Sequence, residues 1–69
     1  MSTSLINALK KRYESEVACA KANIGVYTTN PVGIGEHADL VSAVDSEVSK
    51  MCEAEEKLRA LESHFGKPF

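Results

Sequence analysis

The feature that most constrains this chain is a pair of long segments in which apolar residues recur every three or four positions. These segments cover residues 5–27 and 40–65, with one short break between them. Such spacing places apolar side chains on one face of a helix. Asn30 and Pro31 interrupt the repeat, because the proline ring disfavours helical backbone at the residue before it. The sequence therefore predicts an all-α fold.

Breaks in the repeat set the expected bounds of the helices within a single domain. We predict helix 1 at about residues 4–28, a loop at about 29–37 and helix 2 at about 38–65. Gly66, followed by Pro68, is a typical helix stop. Because a loop this short cannot return the chain to a parallel start, the helices should form an antiparallel hairpin.

The centre of the loop sets which residues should face each other. With Gly33 at the centre, facing residues have numbers that add to about 66. The basic run at 10–12 would then lie beside the acidic residues near 54–56. Lys10 and Glu55 both replace an apolar residue in the repeat, and polar residues at such positions tend to fix register. We therefore expect Lys10 and Glu55 to meet near the open end of the hairpin.

The length of the chain argues for a second subunit. A domain of 69 residues with 43% apolar content removes only about 60% of its unfolded surface from water, so its core usually needs support. Cys19 and Cys52 are the only cysteines, too few for a disulfide framework or a four-thiolate zinc site. They are expected to act as small buried hydrophobes, too far apart for a bond to each other. Self-association therefore remains as the way to stabilise this small core.

A second, narrower stripe of apolar and small residues runs beside the main repeat on each helix. One hairpin covers only one stripe per helix, so a second stripe would stay in water unless another helix covered it. Isolated alanines on a wet face are the alternative explanation, since alanine is a good helix former. We predict that two hairpins form a four-helix bundle, a homodimer whose interface candidates are Leu5, Ala8, Cys19, Ala22 and Val26 on helix 1, together with Ser15, and Leu40, Ala43, Ala54 and Leu61 on helix 2.

The sequence gives little reason to predict catalysis or a bound cofactor. No serine or cysteine is paired with a histidine in a way that predicts nucleophilic catalysis, so we expect neither enzymatic activity nor a cofactor. Glu36, His37 and Asp39 bring three potential metal ligands together beside the loop, but adjacent residues point in different directions. The interpretation that we favour is structural, with Glu36 or His37 at the start of helix 2 and Asp39 in its first turn, where the helix dipole favours acids.

The charge and hydropathy of the chain bear on its partners and compartment. A net charge of −2 gives no basic surface for nucleic acid or an anionic membrane, and no stretch approaches the roughly 20 apolar residues that cross a bilayer. No secretory signal is apparent near Met1. We therefore expect a reducing, cytoplasmic setting.

The segment from Asn30 to Val41, with its Asn-Pro-Val-Gly-Ile-Gly-Glu-His start, resembles a pattern in short uncharacterised proteins of tailed bacteriophages, particularly marine ones. The resemblance covers the loop and the start of helix 2. It implies a phage protein that works in the cytoplasm of a bacterial host, and it carries no activity or functional residue that transfers to this chain.

Two functional hypotheses follow from the sequence. The first is a small interaction or assembly protein that binds itself and an unknown protein partner. The second is a regulatory module in which paired hairpins sequester a small molecule or a metal around Glu36, His37 and Asp39. Solution mass tests the first hypothesis, and thermal shifts with metals or phosphate test the second.

Overall fold

Two helices make up the described part of this chain. The structure, a computed structural model, describes residues 3–29 and 39–65. Helix α1 covers Thr3–Thr29 and helix α2 covers Leu40–His64, the two helices pack against each other, and the described residues contain no strand. The all-α class is therefore confirmed. The helix ends lie within two residues of the expected bounds. Residues 30–37 of the predicted loop and the predicted stop at Gly66 lie outside the described residues.

Contacts between the helices show that they run antiparallel and fix their register. The Asn23 amide donates to Glu47 at 3.1 Å, and the Lys57 ammonium lies 5.4 Å from the ring centre of Tyr13. Each of these contacts joins residues whose numbers add to 70. The expected value of 66 was wrong, because the connection between Thr29 and Leu40 is centred closer to residue 35 than to Gly33.

The corrected register separates two residues that the sequence had predicted to meet. Lys10 is level with residue 60 and Glu55 with residue 15, so the two residues are about 7.5 Å apart along the hairpin. Both side chains are half-buried at the edge of the contact, and the ion pairs of residues 3–29 and 39–65 include none between them. The described pairs stay within one helix: Arg12 with Glu16 at 3.7 Å and Glu53 with Lys57 at 3.5 Å. The basic run therefore does not neutralise the acidic cluster of α2 in this hairpin.

Helix α2 begins and ends with well-defined caps. Asp39 has extended backbone, and its carboxylate accepts a hydrogen bond from the Ser42 N–H at 3.1 Å. This bond satisfies one of the free donors of the first turn. The N-cap is therefore Asp39 and not Glu36 or His37, which lie outside the described residues. At the other end the Phe65 N–H donates to the Leu61 carbonyl at 2.8 Å.

The last turns of α1 contain Gly25 and the β-branched residues Val26, Thr28 and Thr29, which have low helix propensity. The Thr28 hydroxyl donates to the Ile24 carbonyl at 2.8 Å, and the Thr29 hydroxyl donates to the Gly25 carbonyl at 2.6 Å. These side chains supply partners to carbonyl groups at a helix end, where the backbone has too few donors of its own. The helix thus extends to Thr29.

The contact between the helices is narrow, and small side chains lie at its centre. Ala20 and Ala54 are 2% and 1% exposed, and within residues 3–29 and 39–65 no large side chain is fully enclosed. The larger apolar residues of the contact are only half-buried: Ile6, Leu9, Tyr13, Val17, Ile24 and Tyr27 on α1, and Leu40, Val44, Val48, Met51, Leu58 and Leu61 on α2. The result is a rod with extents of 50 × 15 × 15 Å.

Candidate functional site

Glu47 is the buried charged residue in the described part of the chain, with 7% of its surface exposed. The Asn23 amide donates to Glu47 Oε1 at 3.1 Å, and the Lys50 ammonium donates to Oε2 at 3.4 Å. Both oxygens of the carboxylate therefore have a partner, as a buried charge requires. The Asn23 hydrogen bond lowers the pKa of Glu47, Lys50 adds to this effect, and desolvation opposes it.

A shallow groove of about 390 Å³ lies over this cluster on one side of the hairpin. Its lining alternates acids and bases with small residues: Ser15, Glu16, Cys19, Ala20 and Asn23 on α1, and Glu47, Lys50, Glu53 and Lys57 on α2. The acids of the groove are matched by nearby donors or cations. Within this lining, Asn23 and Lys50 are the groups that satisfy the buried charge of Glu47.

Glu47 and Asn23 were missed by the sequence analysis, although a signal was present. Glu47 falls in the apolar repeat of α2, three residues after Val44 and four before Met51. A charged residue at such a position needs a partner on the facing helix. With the correct register the facing position is Asn23, which has a donor of the right kind.

The three candidate metal ligands do not form a metal site within the residues that the structure describes. Glu36 and His37 lie outside the described residues. The Asp39 carboxylate accepts from the Ser42 N–H at 3.1 Å and from the Ser42 hydroxyl at 2.9 Å, and these bonds lower its pKa. Among residues 3–29 and 39–65, no three His, Cys, Asp or Glu side chains come close enough to hold a metal ion.

The interface candidates on α1 lie outside its contact with α2, on a surface that we call the outer face of α1; Ser15 and Cys19 on this face also border the groove. All of them are exposed: Leu5, Ala8, Ser15, Cys19, Ala22 and Val26. Leu5 is 72% exposed and Val26 is 54% exposed. Arg12 is also on this face and pairs with Glu16 beside it. The outer face of α1 is therefore apolar or small along most of its length.

The interface candidates on α2 lie elsewhere. Leu40, Ala43 and Leu61 are half-buried, and Ala54 is among the best-enclosed residues described. The expectation that Ala54 would be left in water by a single hairpin was wrong, because it is spaced from Met51 and Leu58 by steps of three and four and points with them toward α1. These residues belong to the contact within the hairpin.

The two cysteines are exposed, not buried as expected. Cys19 comes one residue before the enclosed Ala20, and Cys52 comes one residue after the half-buried Met51. Because the helices run in opposite directions, these offsets turn the two side chains to opposite sides of the hairpin. The two cysteines lie at the same level along the hairpin. They are kept apart because they are on opposite sides of it, and not by distance along its axis.

Within the described ranges, no helical segment combines the length and the apolar character needed to span a bilayer. The chain matches no known protein-family model, no curated protein and no solved structure.

Proposed function

We propose that this chain is a small, non-catalytic interaction or assembly protein that works as a homo-oligomer. The observation that carries the proposal is the absence of any fully enclosed large side chain among residues 3–29 and 39–65. A domain of this size gains too little from burial to offset the chain entropy lost on folding unless its apolar groups are well enclosed. Docking of further copies would enclose more of them.

The surface area of the chain supports the same proposal. Its accessible surface is 5125 Å², whereas a compact monomer of 7.5 kDa has about 4200 Å². The surplus is about 900 Å², close to the roughly 800 Å² that each partner contributes to a standard protein interface. The radius of gyration of 15.4 Å also exceeds the value of about 11 Å for a compact chain of this length.

Light scattering coupled to size exclusion tests the proposal. We expect a mass of at least twice the 7.5 kDa of one chain at micromolar concentration. A well-folded particle of 7.5 kDa at every concentration would contradict it. This mass is read on the unmodified chain, so the result does not depend on the stability of a variant.

A matched pair of valine variants then tests which surface is used. Val26, on the outer face of α1, is 54% exposed, and Val41, near the start of α2, is 80% exposed. Val26→Lys should shift the mass toward the monomer, because it places a charge in a docking surface. Val41→Lys serves as the control and should leave the mass unchanged.

A further inference from the structure

We propose that the second copy docks on the outer face of α1, helix against helix and antiparallel, with a two-fold axis near Ser15. This inference rests on the proposed function and adds the geometry of the contact. The outer face consists of the residues reached by steps of three and four from Leu5 to Val26, and each of them is exposed.

The outer face of α2 offers no comparable surface. The exposed residues of α2 outside its contact with α1 are polar or charged at most positions: Ser42, Asp45, Ser46, Ser49, Glu56, Arg59 and Ser63, with Val41, Cys52 and Ala60 among them. Covering them would remove hydroxyl and carboxylate groups from water without partners, at a cost in free energy. Val41 and Phe65 are also exposed, at 80% and 62%, but they lie near the two ends of α2. The exposed residues between them include Asp45, Glu56 and Arg59, so the continuous surface of apolar and small residues is on α1.

The outer face of α1 is self-complementary in size, which a two-fold interface requires. Its large residues, Leu5 and Val26, lie at its two ends, about 32 Å apart. A two-fold axis near Ser15 brings Leu5 of each copy against Val26 of the other and Ala8 against Ala22. The axis itself passes through small side chains, so the two helices can approach closely along the centre of the contact.

The face is also self-complementary in charge. Arg12 and Glu16 form an ion pair at 3.7 Å within one chain. In the antiparallel arrangement, the second copy's Glu16 lies within about one helical turn of Arg12 along the axis. Two arginines and two glutamates then surround the two-fold axis with no net charge. This arrangement selects a second copy of the chain as the occupant over a partner with an unmatched charge.

The two native thiols test the location of the contact without any mutation. Cys19 lies on the outer face of α1, and Cys52 lies on α2 on the opposite side of the hairpin; both are exposed in one chain. We expect alkylation of Cys19 by iodoacetamide to slow by about fivefold once the protein concentration exceeds the dissociation constant of the dimer by about tenfold, because only the undocked fraction, about one fifth of the chains, reacts. Alkylation of Cys52 should keep its rate.

The thiol experiment separates this inference from the proposed function. If light scattering finds an oligomer and Cys19 stays as reactive as in the dilute protein, docking on the outer face of α1 is wrong while self-association stands. Protection of Cys52 instead of Cys19 has the same meaning and moves the contact to α2. If the particle is a monomer, both proposals fail together.

An engineered thiol tests the register of the contact. In a background with Cys19→Ser and Cys52→Ser, we expect Ser15→Cys to give a disulfide-linked dimer on treatment with diamide, since the axis brings the two thiols together. A disulfide needs Cα atoms about 4.4–6.8 Å apart. Glu14→Cys in the same background is the matched control, because residue 14 is exposed at the same level but turned about 100° around the helix. An oligomer that cross-links equally at both positions, or at neither, would overturn the proposed register.

Discussion

Glu47 lies between two helices in an ionised form because each of its oxygens has a donor. Asn23 reaches across from α1 and Lys50 comes from the next turn of α2. Removal of these donors would leave a buried carboxylate without hydrogen bonds to replace those it made to water. The charge thus specifies which residues of the two helices are level, a role that buried polar groups hold in other helical assemblies.

We expect Glu47 to contribute to the loss of stability in acid. Its pKa is lowered by the Asn23 hydrogen bond, so the folded state binds the proton less readily than the unfolded state. The contribution is complete at pH values above the ordinary pKa of about 4.3 and disappears as pH falls through the lowered pKa of the folded state. The melting temperature of Glu47→Gln should therefore fall less between pH 6 and pH 3 than that of the unmodified chain.

Glu56→Gln is the control for this measurement, because Glu56 is an exposed acid on the same helix. Its acid sensitivity should match that of the unmodified chain. Equal profiles for all three proteins would show that the contact with Asn23 has no energetic consequence.

Asp39 is expected to matter as a cap and not as a metal ligand. Asp39→Ala removes the acceptor for the Ser42 N–H and should lower the melting temperature at pH 7 by several degrees, whereas Asp39→Asn should retain most of the stability because asparagine is an equally good N-cap. Circular dichroism melts distinguish the variants. Added Zn²⁺ should leave all three melts unchanged, and a metal-dependent rise confined to the native residue would contradict the capping role.

At the scale of the helices, the sequence was sufficient for their existence and approximate bounds but not for their register. Apolar repeats of 23 and 26 residues, separated by Asn30 and Pro31, leave little choice except two helices. Register depends on where α2 begins, and a difference of two residues there separated Lys10 from Glu55. Capping by Asp39 decided that start, and Glu36, a carboxylate three residues earlier in the sequence, was an equally plausible cap.

Gly25 offers a test of the balance between helix propensity and packing in α1. It is helical, and a Cβ atom added to it would meet nothing within 4 Å. Gly25→Ala should therefore stabilise the chain by about 0.5–1 kcal/mol, since it lowers the entropy of the unfolded state without creating a clash. Urea denaturation followed by circular dichroism measures this difference. A loss of stability would mean that residue 25 is covered by something that the isolated hairpin lacks.

Ala54 tests the close approach of the two helices. It is 1% exposed, so a larger side chain must push α1 away. We expect Ala54→Leu to destabilise the chain by about 1–3 kcal/mol. Ala60→Leu, on an exposed position of the same helix, is the size-matched control and should change the stability little. Equal denaturation midpoints for the two variants would show that α1 can move away from residue 54 without a loss of stability.

At the scale of the whole molecule, the chain is a rod with most of its side chains in contact with water. The sequence predicted an incomplete core and exposed candidates on α1 from composition and periodicity. It did not predict that the candidates on α2 would pack inside the hairpin, because two adjacent stripes on one helix can be assigned to different neighbours only when the rotation of that helix is known. Ala54 shows this most clearly.

The proposed self-association makes stability depend on concentration. If docking encloses surface that a single hairpin leaves wet, the melting temperature should rise as the protein concentration is raised a hundredfold, because mass action favours the docked state. Val26→Lys should remove this dependence and Val41→Lys should keep it. A melting temperature that is constant for the unmodified chain would indicate a hairpin that is stable alone.

The enclosure of so few positions also bears on how this fold tolerates sequence change. Ala20, Ala54 and Glu47 are the residues that are shut away from solvent in the described part of the chain. Elsewhere, apart from the Asp39 cap, substitutions that keep helix propensity and the apolar repeat cost little in stability. Selection on such a protein would then act mainly on its contacts with other molecules. Its relatives would be free to diverge until they shared little more than the spacing of their apolar residues.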